Sequence, residues 1–163
     1  MITMWVILSI LVENRPGILW KVTNLFRAKN FNIDSISVGT TPDPDISRMT
    51  ITTVDDEKRI QQIVKQLAKM IDTIEVKQLD EHKTVYRELI LFRIKVKSAQ
   101  DSMEINRLAN SYGGKIHDAK KESIMVELTA TPDHIKSFEE LIKPFGIVET
   151  SRTGIAALQR AGT

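Results

Sequence analysis

The sequence contains no cysteine, so disulfides, thiolate metal sites and cysteine nucleophiles are excluded. That absence is compatible with a cytoplasmic protein. An excess of one charge is also missing: 23 Lys+Arg against 21 Asp+Glu leave a net charge of +2, which is no nucleic-acid footprint even with a pI near 8.8. The three histidines, His82, His117 and His134, are far apart and lack metal-ligand spacing, so they read as exposed polar residues and no metal ligand is assigned. The apolar run from Met4 to Val12 is too short to span a bilayer. No basic segment precedes it, Glu13 ends it, and no small-residue cleavage site follows, so it reads as a buried strand and not as a signal peptide. A glycine-rich dinucleotide fingerprint, a P-loop and a nucleophile elbow are all lacking, and Ser35 and Ser47 have no histidine nearby in sequence. No catalytic residue is therefore assigned. A helix-turn-helix is missing, and Ser47-Arg48-Met49-Thr50-Ile51 lacks the aromatics of an RNA-binding strand. The expectation is a protein that binds neither nucleic acid nor membrane.

What is present is a composition ordinary for a globular protein, 42% hydrophobic and 27% charged. The 163 residues suit one compact domain or two small ones, and halves of ~80 residues are each marginal alone. The stretch Val12-Glu13-Asn14-Arg15-Pro16-Gly17-Ile18-Leu19 joins the apolar run to an amphipathic one, a strand feeding a helix through a tight turn. Pro16 suits a first helical position. Gly17, without a Cβ, admits close approach to the backbone. The N–H groups of Gly17, Ile18 and Leu19 then form a small anion-binding end, and Asn14 adds an amide acceptor and two donors. A free amino acid matches that arrangement. A plain strand-to-helix turn with nothing bound matches it too, and spacing alone favours that reading.

Along the chain, Ile18, Leu19, Val22, Leu25 and Phe26 recur at helical spacing up to about Lys29. Ile33 to Thr41 and Ile46 to Val54 read as a strand pair across a Pro/Asp loop. Asp55-Asp56 caps a helix whose stripe is Ile60, Ile63, Val64, Leu67 and Ala68, and Ile74 to Leu79 is a further strand. This β-α-β-β-α-β order is that of the ferredoxin-like split βαβ arrangement. Asp80 to Lys83 marks a boundary, and the order repeats: a strand from Tyr86 to Val96, a helix ended by Gly113-Gly114, strands Lys115 to Ala119 and Ile124 to Thr129, a helix from Thr131-Pro132-Asp133, and a strand from Gly146 to Arg152. The fold class is α+β, two tandem ferredoxin-like βαββαβ domains over residues 1–80 and 81–163. Ile155 to Thr163 reads as a loose tail. Both faces of the first strand are apolar, Trp5/Ile7/Leu11 on one and Val6/Leu8/Ile10 on the other. An uncovered apolar sheet face marks an interface, which predicts a dimer or higher oligomer through the first domain. Asp43, Asp45, Asp55 and Asp56 imitate a cation site but are explained by turns and caps. Arg93, Lys95 and Lys97 alternate along one face of a strand, which reads as a solvated face.

Glu13-Asn14-Arg15-Pro16-Gly17-Ile18-Leu19 followed by Asn32-Ile33 resembles the ACT-domain family of amino-acid sensors. With Phe31 to Val38 and Asp43 to Ile51, and with the overall length, the chain resembles the regulatory small subunits of acetohydroxyacid synthase, also called acetolactate synthase. The resemblance is most specific from Val12 to Ile51 and rests on length and element order beyond Arg87. It implies that the first domain is an ACT domain that pairs with a second copy. It further implies that a branched-chain amino acid, typically valine, binds between the two. Carried over, the Gly17 and Ile18 N–H groups hold the effector carboxylate, with Leu19 beside them. Asn14 bonds the polar head from the same chain, and Asn32 with Ile33 closes the site from the partner chain. Arg15 and Pro16 depart mildly from other members, and Pro16 stiffens the turn. The second domain is then the family's C-terminal domain, which with the first stimulates the catalytic large subunit. Thiamine diphosphate, FAD and magnesium belong to that subunit, and none is expected on this chain. An alternative is a free-standing ACT-domain module that binds an amino acid and regulates a different enzyme or regulator. A small ferredoxin-like enzyme or RNA-binding domain ranks last, for want of the aromatics noted above.

Overall fold

The computed structural model describes residues 2–162. The first unit is built from β1 (Thr3–Glu13), α1 (Ile18–Ala28), β2 (Ser35–Thr40), β3 (Ile46–Asp56), α2 (Glu57–Ala68) and β4 (Thr73–Leu79). Its sheet is antiparallel in the order β2-β3-β1-β4. Alternation along the strands decides which side is the core. Val6, Leu8, Ile10 and Val12 of β1 and Met49 and Ile51 of β3 pack with Ile18, Val22 and Phe26 of α1 and Ile60, Ile63 and Leu67 of α2. Each large aliphatic or aromatic side chain buried there contributes roughly 1.5–3 kcal/mol relative to exposure. Asp56 starts α2 as expected: its Oδ1 accepts from the Arg59 N–H at 3.0 Å. Asp55 takes the Arg59 Nε–H at 2.9 Å. Asp43 accepts from the Asp45 N–H at 3.0 Å, a turn role.

The second unit contains β5 (Thr84–Lys95), α3 (Ala99–Ser111), β6 (Lys115–Ala119), β7 (Ser123–Ala130), α4 (Pro132–Ile142) and β8 (Ile147–Arg152). Its sheet order is β6-β7-β5-β8, again antiparallel. Ile90, Phe92 and Ile94 of β5 and Val126 and Leu128 of β7 pack on Ile105 and Leu108 of α3 and Ile135, Phe138 and Ile142 of α4. Ser98 caps α3 by accepting from the Asp101 N–H at 3.1 Å. Pro132 opens α4, where its missing N–H leaves no orphan donor. Gly114 follows α3 at a point where a Cβ would lie 3.2 Å from the Ala109 and Glu127 carbonyls, so a side chain there would require the helix end and β7 to give by a few tenths of an ångström. Arg93 and Lys95 are exposed between buried Phe92 and Ile94, the expected solvated side, and Arg93 pairs with Glu149. The chain is thus two ferredoxin-like βαββαβ units.

The end of the chain differs from the expected loose tail. Residues 156–159 form a ninth strand, β9 (Ala156–Gln159), which pairs with β5, and the Arg160 N–H donates to the Lys83 carbonyl at 2.7 Å. Ile155 and Ala157 are buried, with Ile7 and Leu79, on the side of the first sheet away from its helices, and Trp5 and Tyr86 pack against this cluster. Ser37 Oγ donates to the Ile155 carbonyl at 2.6 Å. By its contacts the chain divides into a unit running up to Tyr86 plus the stretch from Ile155, and a second unit, Arg87–Gly154. The expected division at residue 80 put everything after it in the second domain. The division found here falls inside β5 and returns the C-terminal stretch to the first unit. The reason is apolar burial: Ile155 and Ala157 find cover on the face that the two helices leave open. The face expected to await a second molecule is therefore partly covered by the chain itself. Met1 and Thr163, the outer bounds of the expected domains, lie outside the described residues.

Candidate functional site

The turn between β1 and α1 is held from both sides. The Asn14 N–H donates to the Asp45 carbonyl at 2.7 Å, and Asn14 Nδ2 donates to the Pro44 carbonyl at 2.9 Å. This fixes the Asn14 side chain against the β2–β3 loop and leaves its Oδ1 and one amide N–H open. Arg15 folds back to pair with Glu13 at 3.1 Å. Contrary to the proline rule, Pro16 is not the first helical residue. It sits in the turn, and α1 starts at Ile18 with Gly17 as N-cap at φ +85°. A left-handed residue at the cap displaces the helix start by two positions, and that conformation favours glycine. A Cβ built on Gly17 meets nothing within 4 Å, so the space above this backbone is open.

Of the three N–H groups expected to form an anion-binding end, that of Ile18 is already engaged, donating to the Arg15 carbonyl at 3.3 Å. Those of Gly17 and Leu19 take no partner among the described residues. Ile18 itself points into the core, whereas Leu19 is exposed and Trp20 beside it is 68% exposed. Lys21 pairs with Asp72 at 2.5 Å, and the Glu13 N–H donates to the Asp72 carbonyl at 2.9 Å, so α1, β1 and the α2–β4 loop are tied together under the turn.

Asn32 and Ile33 lie elsewhere. The Asn32 carbonyl accepts from Thr53 Oγ1 at 2.6 Å, while its Nδ2 donates to Asp34 Oδ1 at 2.7 Å. Thr53 is seven residues from Ile46 along β3, roughly 23 Å at about 3.3 Å per residue. Asn14 is anchored at the Ile46 end. Within one chain the structure thus brings Asn14, Gly17, Ile18 and Leu19 together and keeps Asn32 and Ile33 at the opposite end of the sheet. Ile33 is half-buried against the core and Asn32 is exposed.

Comparison with known proteins bears on what such a turn is for. Residues 8–75 match the family model described as the AHAS small subunit-like ACT domain, and residues 87–161 match the one described as the small subunit of acetolactate synthase. A probable acetolactate synthase small subunit from Archaeoglobus fulgidus is 41% identical over 153 residues, covering 94% of this chain and 95% of that protein. The chain belongs to the acetolactate synthase small-subunit family. An acetolactate synthase small subunit from Aquifex aeolicus is 38% identical, covering 94% of this chain and 80% of its own. The crystal structure of the acetolactate synthase small subunit from Thermotoga maritima is similar over 98% of this chain and 99% of its own, with a TM-score of 0.89 and 34% identity. Within this family fold, the β1–α1 turn belongs to the ACT domain.

Other expected assignments resolve locally. His117 pairs with Glu127 at 2.5 Å, and His134 packs on Tyr112 with ring centroids 4.7 Å apart. Among the described residues there is no group of three or more His, Cys, Asp or Glu that could hold a metal ion, and no helix is long and apolar enough to cross a membrane. Sequence reasoning missed Arg48 and the covering strand β9. The alternation Arg48, Thr50, Thr52 against Met49, Ile51 was the available signal for the first. The alternation of Ile155 and Ala157 was the signal for the second.

Proposed function

We propose that this chain is the non-catalytic regulatory subunit of acetolactate synthase, which binds a branched-chain amino acid, valine in the first instance, between two copies. In doing so it stimulates and feedback-controls the catalytic large subunit in branched-chain amino-acid synthesis, in the cytoplasm. The observation that carries the reading is the match of both halves to the small-subunit family, in order and over nearly the whole chain. The local geometry supports the effector site. Gly17 and Leu19 offer free N–H groups at the positive end of α1, suited to a carboxylate. Asn14 is pre-positioned beside them. Asn32 is too far along the sheet to reach the same small molecule from the same chain, so a site using both sets needs two copies. Binding across two copies couples effector occupancy to how the copies pack, which is what a feedback signal requires.

Thiamine diphosphate, FAD and magnesium are assigned to the large subunit. The test is reconstitution. The purified chain added to the catalytic large subunit raises acetolactate formation, and valine then lowers it. A chain that leaves the rate of the large subunit unchanged at saturating concentration overturns the regulatory-subunit reading. Stimulation without any valine response keeps the partner and removes the feedback role.

A further inference from the structure

We propose that the helix-free face of the first unit's sheet carries an oxyanion site centred on Arg48, which takes a small ligand with a carboxylate or phosphate head and an apolar body. The alternation of β3 puts Arg48, Thr50 and Thr52 on the side away from Met49, Ile51 and the helices. Arg48 is half-buried there, and its Nη1 donates to Ser9 Oγ at 2.5 Å. Arg15, Arg59, Arg93, Arg107 and Arg152 each reach a carboxylate, but among the described residues no carboxylate lies within 4.0 Å of the Arg48 guanidinium. A partly desolvated guanidinium whose partner is a single neutral hydroxyl lacks the counter-charge that normally offsets its burial.

The space it faces is shaped for that counter-charge to come from a ligand. A groove of about 530 Å³ opens beside it, walled by Ser37, Thr40 and Thr50 on one side and by Ala156 and Leu158 of the covering strand on the other. This volume is in the range of small-molecule sites. Gly39 stands directly opposite Arg48 in the β2–β3 register, and a Cβ there meets nothing within 4 Å, so the position across from the guanidinium is empty of side chain. The planar guanidinium keeps donors beyond the one given to Ser9, and a carboxylate or phosphate accepts two of them in parallel. The Thr50 hydroxyl, on the same face as Arg48, adds a neutral polar group, while Ala156 and Leu158 suit an apolar body. None of these residues belongs to the amino-acid site proposed above, so the two readings stand or fall separately.

The test is amide NMR of the full chain at fixed ionic strength, with sodium chloride replaced stepwise by sodium phosphate in one series and by sodium malonate in another. The expected result is saturable shifts at Thr40, Thr50 and Ala157 with at least one anion, and the anion that acts identifies the head group. Arg48→Gln lowers that affinity about tenfold or more, the scale of losing a charge-assisted pair. Gly39→Asp sets a carboxylate across from Arg48, leaves the fold intact and silences the response by occupying the guanidinium from within. Shifts that do not saturate or that scatter over the surface overturn the proposal. So does an unchanged affinity in either variant.

Discussion

Gly17→Asp separates backbone strain from charge at the β1–α1 turn. Gly17 sits at φ +85°, where an L residue costs roughly 1–2 kcal/mol, with Asp and Asn at the lower end. The space around its Cβ is open, so no steric term adds to this. A loss of that size is tolerable for a fold of ordinary stability, about 5–15 kcal/mol, so the variant stays folded. The new carboxylate stands next to the place where the effector carboxylate is expected. At about 5 Å, two like charges repel by about 0.8 kcal/mol in a water-like setting and about 3.3 kcal/mol at an effective dielectric of 20, roughly 4-fold to 270-fold in affinity. Gly17→Asn carries similar strain without charge and is the control. Calorimetry with valine on wild type and both variants is the assay. The expected order is a large loss for Asp and a small one for Asn. Equal losses in Asp and Asn refute the electrostatic argument, and wild-type affinity in Asp refutes the site.

Further predictions follow from packing, capping and ion pairing. Ile155→Ala removes a fully covered side chain from the strand that closes the first sheet, and should cost about 2–5 kcal/mol in urea unfolding of the whole chain; a loss below about 0.5 kcal/mol would mean that this segment does not pack in solution. Asp56→Ala deletes the α2 cap and should cost about 1 kcal/mol, whereas Asp56→Asn should be nearly neutral; equal losses would show that the cap bond is not what matters. The Arg107 hydrogen bonds hold the Glu104 carboxyl below its ordinary value. That pair's contribution is therefore present above the ordinary carboxylate range and is lost as pH falls through the lowered value. Arg107→Gln should return Glu104 to its usual titration by NMR, and an unmoved midpoint would assign the shift elsewhere.

Some elements announce themselves in the sequence and others do not. Met4 to Val12 announced a strand covered on both sides, and it is. Val6, Leu8, Ile10 and Val12 meet the helices. Ile7 meets Ile155 and Ala157. The second cover was read as another molecule because a four-residue strand so far along the chain has no local signature of its destination. The Asp56 cap and the Gly113-Gly114 stop were legible because each acts within a few residues. The Pro16 expectation failed where two local rules competed, since proline at N1 and glycine at positive φ cannot both set the helix start. The separation of Asn14 from Asn32 was not visible in one dimension either. It depends on the β2–β3 register, which places Ser35 against Thr52 and Thr40 against Ser47.

The central claim, an amino-acid site shared between two copies, is tested most directly by complementation. On this account, Gly17→Asp and Asn32→Ala chains should each bind valine poorly when paired only with their own kind. In a twofold pair made from one of each, one site collects both defects and the other keeps Gly17 from one copy and Asn32 from its partner. Random mixing of the two chains should then restore wild-type affinity at about one quarter of the sites, read by calorimetry, because half the pairs are mixed and each has one intact site. Failure to recover any wild-type site in a mixture shown to exchange subunits would contradict the shared site, because a site built within one chain stays broken in both.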